Sequence, residues 1–381
     1  MTEKGVSKTE DRITKIINDD YKKSHLKHDE PTINIPETDW KRLFLRLDLE
    51  DFLKYIDMNP DFTTFYEKLE VCAKNNISTL LLPIVEVNNI KSGYYYITAL
   101  LSKITTLKYL EFSGIPQINN QLNDKAAKAI KKGFSNFYDG KGRLNILTFN
   151  QLIINSDLSD CLFDYLKKAD NLISLKFSKT NLLAHGNAMK ILSNILLSLK
   201  ELKELSFVKC TLDLEKCKIL ADSLMRMKKL QIFRLNDQKG LGLGLASIIY
   251  NLSFSPNLLL LDLGNISISK NRGNNSDINE AVVSLYKMLR INSSVEILKL
   301  NHNMGLNPCL VREFWNALGD CKSLKVLDLS NSGDLSNKAK DLGTAIAFNA
   351  KRKGCLTHLN LTGTFSNTTT INNLYTGMNI S

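Results

Sequence analysis

One six-residue pattern recurs ten times along this chain: an apolar residue, two variable residues, leucine or phenylalanine, one variable residue, then leucine or phenylalanine. Its copies are ISTLLL at Ile77, LKYLEF at Leu107, LNILTF at Leu144, LISLKF at Leu172, LKELSF at Leu202, LQIFRL at Leu230, LLLLDL at Leu258, VEILKL at Val295, LKVLDL at Leu324 and LTHLNL at Leu356. Successive starts lie 30, 37, 28, 30, 28, 28, 37, 29 and 32 residues apart. A unit this short cannot bury its own hydrophobic face, so each copy must stack on its neighbours, and the chain is predicted to be a solenoid whose function is its surface.

Within each copy, side chains alternate across a short strand, which sends positions 4 and 6 toward the core and positions 3 and 5 the other way. A polar stretch follows, then an apolar stripe at helical spacing: Ala188, Ile191, Leu192, Ile195 and Leu199 in one copy, Val311, Phe314, Trp315 and Leu318 in another. Asn307 and Pro308 are placed as cap and first residue of that second helix. Two copies are long. They carry the turn-rich segments YDGKGR from Tyr138 and SKNRGNNSD from Ser269, which read either as drifted loops or as extensions of a binding rim.

Strand and helix units of this length resemble the leucine-rich repeats of the ribonuclease-inhibitor type, over roughly residues 77 to 363. The resemblance implies an α/β solenoid, a curved horseshoe with parallel strands on the concave face and helices on the convex face. The family usually places Asn or Cys at position 9, where the side chain caps the chain as it leaves the strand. Only Cys210 and Asn303 fit; Thr180, Gln238, Ser332 and Thr364 are polar substitutes.

The remaining segments fit around the repeats. Residues 1–36 are polar and end in Pro31 and Pro36, and are expected to form a flexible N-terminal arm with one short amphipathic stretch at Val6, Ile13, Ile16 and Ile17. Residues 37–76 turn helical, with Trp40, Leu43, Phe44 and Leu47 leading, and are expected to cap the first repeat. Residues 364–381 form a C-terminal tail or cap in which Ile371, Leu374, Tyr375 and Met378 sit at helical spacing. Seven cysteines without a CxxC pair suit a reducing compartment, and the charged start MTEKGVSKTEDR does not read as a signal peptide. No run approaches the 18 or so apolar residues of a membrane span, so a cytoplasmic location and no membrane partner are expected.

The net charge of +11 raises the question of an anionic partner. Lys125, Lys128 and Lys132 share one face of a helix opposite Ile130, Phe134 and Phe137, which is either a solvated face or a basic contact. Basic residues here are not interleaved with aromatics and no nucleic-acid module is recognisable, so nucleic acid is disfavoured and a protein partner, acidic or part of a multi-subunit complex, is expected. On the strands, position 5 of four consecutive repeats reads Arg234, Asp262, Lys299, Asp328, a ladder of alternating sign. Position 3 reads Ile232, Leu260, Ile297, Val326, an apolar stripe expected to lie open on the concave face as a protein-binding surface, or else merely to suit a β-surface.

Catalysis has little to stand on. His25, His28, His185, His302 and His358 show no metal-ligand spacing, and GLGLG from Gly240 lacks the Lys and Ser or Thr of a phosphate loop. Neither a catalytic residue nor a metal or cofactor is expected. The resemblance implies a non-catalytic interaction scaffold, a structural subunit of an intracellular assembly such as the cytoskeleton or a cilium, with a regulator of an enzyme, an inhibitor or GTPase activator, as the alternative.

Overall fold

In the computed structural model, the residues described are 79–83, 107–114, 124–139, 143–153, 163–181, 188–238, 241, 243–266, 280–304, 306, 310–365 and 368–379. The expected arm and amino-terminal cap, half of the first turn-rich segment and all of the second, and Asn307 with Pro308 lie outside them. The chain divides into two compact units, Asp19–Leu202, and Lys203–Ser381 with Met1–Asn18.

The first unit holds strands β1 (Thr79–Pro83), β2 (Tyr109–Ser113), β3 (Ile146–Asn150) and β4 (Ser174–Ser178). They pair in chain order, all parallel, with Leu80, Leu110, Leu147 and Leu175 in one register line. Each strand covers positions 3 to 7 of its repeat. Position 6 is a phenylalanine spine: Phe112 stacks on Phe149 at 5.7 Å between ring centroids, and Phe149 on Phe177 at 5.2 Å. Rings stacked at about the spacing of neighbouring strands carry the core from one repeat to the next. Helices α1 (Asp124–Asp139) and α2 (Ala188–Leu196) follow β2 and β4. On α1, Ile130, Phe134 and Phe137 are buried while Lys128 and Lys132 are exposed, the amphipathic division expected from spacing.

The second unit repeats the scheme with β5 (Glu204–Val208), β6 (Ile232–Arg234), β7 (Leu260–Asp262), β8 (Ile297–Lys299), β9 (Val326–Asp328) and β10 (His358–Asn360), again parallel and in chain order. Between them run α3 (Leu214–Leu224), α4 (Gly244–Leu252), α5 (Glu280–Ile291), α6 (Arg312–Asp320) and α7 (Ala339–Lys351), each packed on the next, and α8 (Thr368–Asn379) packs on α7. Strand, helix, parallel strand is a right-handed crossover, which sets the helices in one layer on one face of the sheet. The architecture is that of a leucine-rich-repeat solenoid. Asp213 caps α3, its carboxylate accepting from the Lys216 backbone N–H at 2.9 Å. On α6 the expected inner stripe is partly corrected: Phe314, Trp315 and Leu318 are buried, but Val311 is half exposed, because the helix starts at Arg312 and Val311 is its extended N-cap. At the far end Gly343 abuts the Leu374 backbone and Gly377 the Lys340 carbonyl, so α7 and α8 meet backbone to backbone.

Position 8 of every described repeat from Leu144 onward is left-handed: Gln151, Lys179, Lys209, Asp237, Asn265, His302 and Asn331 have φ between 50° and 57°, and Gly363 has 69°. At this corner the position-8 N–H donates to the position-7 carbonyl of the next repeat, as in Asp237 to Gly264 at 2.9 Å and His302 to Ser330 at 2.8 Å. The corner therefore extends the sheet's hydrogen bonding past the strands. His302→Val should cost about 1–2 kcal/mol, because a β-branched side chain opposes the left-handed conformation, whereas His302→Gly should be neutral or stabilising. Denaturant midpoints of the two variants check this, and equal midpoints would contradict it.

Candidate functional site

The candidate surface is the face of β6–β9 opposite the helices. The predicted register holds: Ile232, Leu260, Ile297 and Val326 lie directly beside one another, as do Arg234, Asp262, Lys299 and Asp328. The first row differs from expectation in one respect. Its four residues are 2%, 2%, 0% and 2% exposed, so the apolar stripe is sealed rather than open. Part of the reason is lateral: side chains at equal register on strands about 5 Å apart close against each other.

The charged row is a network rather than a plain ladder. On β5 the position-3 residue is Glu204, in register with Ile232 and 5% exposed. Arg234 bridges it to Asp262, with Nε 3.5 Å from Glu204 Oε1 and a guanidinium nitrogen 3.4 Å from Asp262 Oδ2. Asp262 also accepts from the Asn236 side chain and the Gly264 N–H. Two buried carboxylates flanking one Arg satisfy the desolvation each would otherwise suffer. Lys299 and Asp328 stay partly exposed, and Asp328 accepts from both the backbone N–H and the hydroxyl of Ser330. At position 2, Lys325 pairs with Glu296 at 2.6 Å. At position 7 the side-chain oxygens of Asn236 and Asn301 are buried without a hydrogen-bond partner.

Below the charged row, position 9 locks four of the corners. Thr180, Gln238, Asn303 and Ser332 each donate to the position-6 carbonyl of the repeat before, those of Phe149, Phe207, Leu263 and Leu300, at 2.8–3.1 Å. The polar substitutes thus do what Asn does. Asn303 goes further, also donating to Leu300 O at 2.9 Å and accepting from Ile266 N–H at 3.0 Å, which serves a repeat whose own position 9 is apolar.

The basic cluster is brought together only in part: Lys128 and Lys132 are exposed on α1, while the Lys125 side chain lies outside the described residues. His302 is exposed at a left-handed corner, a structural position. Burial pushes the Cys217 thiol up to about 12, which leaves it unreactive at neutral pH. Among the described residues no three His, Cys, Asp or Glu side chains gather to hold a metal, and no helix is long and apolar enough to cross a membrane. Glu204 is the residue that sequence reasoning passed over; its signal was a carboxylate at position 3 one repeat before the apolar stripe begins.

No family model and no curated protein matches the chain. Among solved structures, an internalin of Listeria monocytogenes is similar at 14% identity and a TM-score of 0.37, covering 87% of this chain and 93% of its own. A leucine-rich-repeat protein of Leptospira interrogans is similar at 12% identity and a TM-score of 0.29, covering 81% of this chain and 90% of its own. The protein in the TLR13–ssRNA13 complex is similar at 17% identity and a TM-score of 0.39 over 70% of this chain, which spans 31% of that protein's length.

Proposed function

We propose that this chain is a non-catalytic protein–protein interaction scaffold of the ribonuclease-inhibitor-like repeat type, which engages a protein partner through the face of β6–β9. The supporting observation is the row Arg234, Asp262, Lys299, Asp328, charges of alternating sign held at fixed register on a rigid sheet, with Lys299 and Asp328 accessible. A rigid array with fixed charge spacing rewards one complementary surface and penalises others. A place as a structural subunit of a cytoskeletal or ciliary assembly, in the cytoplasm, follows from the resemblance of the repeats, with regulation of an enzyme as the alternative.

The test is capture of partners from the source cell with the full chain as bait. Lys299→Glu should weaken the retained interaction by about 2 kcal/mol, roughly thirtyfold, with an unchanged melting temperature. Lys128→Glu with Lys132→Glu, on the helix side, should leave it intact apart from a changed salt dependence. Should the helix pair abolish binding while Lys299→Glu leaves it whole, the partner sits on the helices and this reading fails. Ile297→Asp is a poor probe here, since a charge at a buried site disturbs folding before it tests binding.

A further inference from the structure

At β10, an edge strand of the described sheet, the core is left unfinished. Positions 1, 4 and 6 of the repeat before, Leu324, Leu327 and Leu329, are fully buried, whereas their counterparts Leu356, Leu359 and Leu361 are only half-buried. Toward β9, the Leu329 N–H donates to Asn360 O, the Asn331 N–H to Thr362 O and the Thr357 N–H to Lys325 O, at 2.7–2.9 Å. The equivalent groups on the outer edge, the Leu361 and Gly363 N–H groups and the Thr357 carbonyl, have no described strand beside them. On α8 exposure rises around the helix, from Gly377, buried against α7, through half-buried Leu374 and Met378 to Ile371 and Tyr375, one turn apart and 46% and 60% exposed. Edge backbone, core leucines and an apolar helix flank thus lie open at the same end of the array.

We infer that this end is an interface between two copies of the chain, β10 against β10 and α8 against α8 about a two-fold axis. Charge selects the occupant. Residues 354–381 contain no Lys, Arg, Asp or Glu, in a chain that is 23% charged and carries a net +11. Two such chains repel wherever their basic surfaces approach, and at this end neither brings a charge to the seam. An acidic partner gains nothing there. Exposed edge strands are ordinarily blunted by lysines, and terminal repeats ordinarily carry a polar outer face; β10 has neither protection. Antiparallel pairing of an edge strand with its own copy is self-complementary, because the groups that donate from one copy face those that accept on the other. With the axis normal to the sheet, both helix layers fall on the same face, and Ile371 and Tyr375 of one α8 meet those of the other. The pair leaves the charged row on β6–β9 free and presents it twice, which raises avidity for any partner that itself repeats.

Sedimentation velocity on the full chain without any partner tests this, so its outcome is independent of whether the partner-binding reading holds. The chain should sediment as a concentration-dependent dimer. Ile371→Lys with Tyr375→Lys should raise the dimer dissociation constant by about tenfold or more, with an unchanged far-UV circular dichroism spectrum, since both residues are exposed in the single chain. Ile371→Glu with Tyr375→Glu should do the same, and mixing the two variants should restore a mixed dimer, as a seam that sets these residues against their own counterparts requires. Amide exchange at Leu361 and Gly363 should slow as concentration rises through the dimer range. A chain that stays monomeric at roughly 100 μM, a dimer indifferent to the paired lysines, or a dimer whose Leu361 and Gly363 amides exchange as in the monomer would overturn the inference.

Discussion

Leu298→Ala should destabilise the second unit by about 2–5 kcal/mol, and Leu327→Ala by a similar amount, the range for deleting three side-chain carbons from a packed core. Both residues are fully buried, and they stand side by side in the position-4 line with Phe233 and Leu261. That line has no room to collapse, since each neighbour is pinned by the strand beside it. Because stability in a repeat array is shared between adjacent units, hydrogen exchange should accelerate in β7 and β9 as well as in β8 for Leu298→Ala. A denaturation free energy within about 1 kcal/mol of the parent would mean that position 4 does not carry the core.

Asn303→Leu is expected to cost about 3–5 kcal/mol, since it strands the buried Leu263 carbonyl and Ile266 N–H and removes one of the two side-chain donors to the Leu300 carbonyl. Asn303→Ser should cost less. Serine already performs the shorter version of the task at Ser332, donating to Leu300 O at 2.8 Å. The comparison separates lost hydrogen bonding from a simple change of volume. Chemical denaturation of the two variants checks the order, and a reversal of it would show that Asn303 acts by packing alone.

Most of the strand layer was readable from the chain because strand side chains have a period of two, and LxxLxL fixes both the face and the register. The position-9 contacts were readable at the level of chemistry: Thr180, Gln238 and Ser332 are not the expected Asn or Cys, yet each offers a donor at the right place. What alternation cannot tell is what lies over a face. Ile232, Leu260, Ile297 and Val326 were correctly aligned and expected to be open, but they are buried. Val311 fitted the phase of its helix but precedes the first turn, where a side chain stands outside the packed stripe. The left-handed corner had almost no signature. Gln151, Lys179, Lys209, Asp237, Asn265, His302 and Asn331 share little chemistry, and only the Asn and Asp members hint at the conformation.

That corner bears on how such a chain can be rebuilt. The repeat starting at Leu258 runs 37 residues to the next start, against 28 for the repeat before it. Yet Asn265 keeps a φ of 51°, its N–H still reaches Asn301 O at 2.9 Å, and Leu260 still pairs with Ile297. The added length enters downstream of the corner, and the sheet register across it is unchanged. Each repeat is therefore a graft point: foreign loops or epitopes spliced a few residues after position 9 could be displayed at a spacing set by the strands, with chain length on that side free to vary while the pitch of the array stays constant.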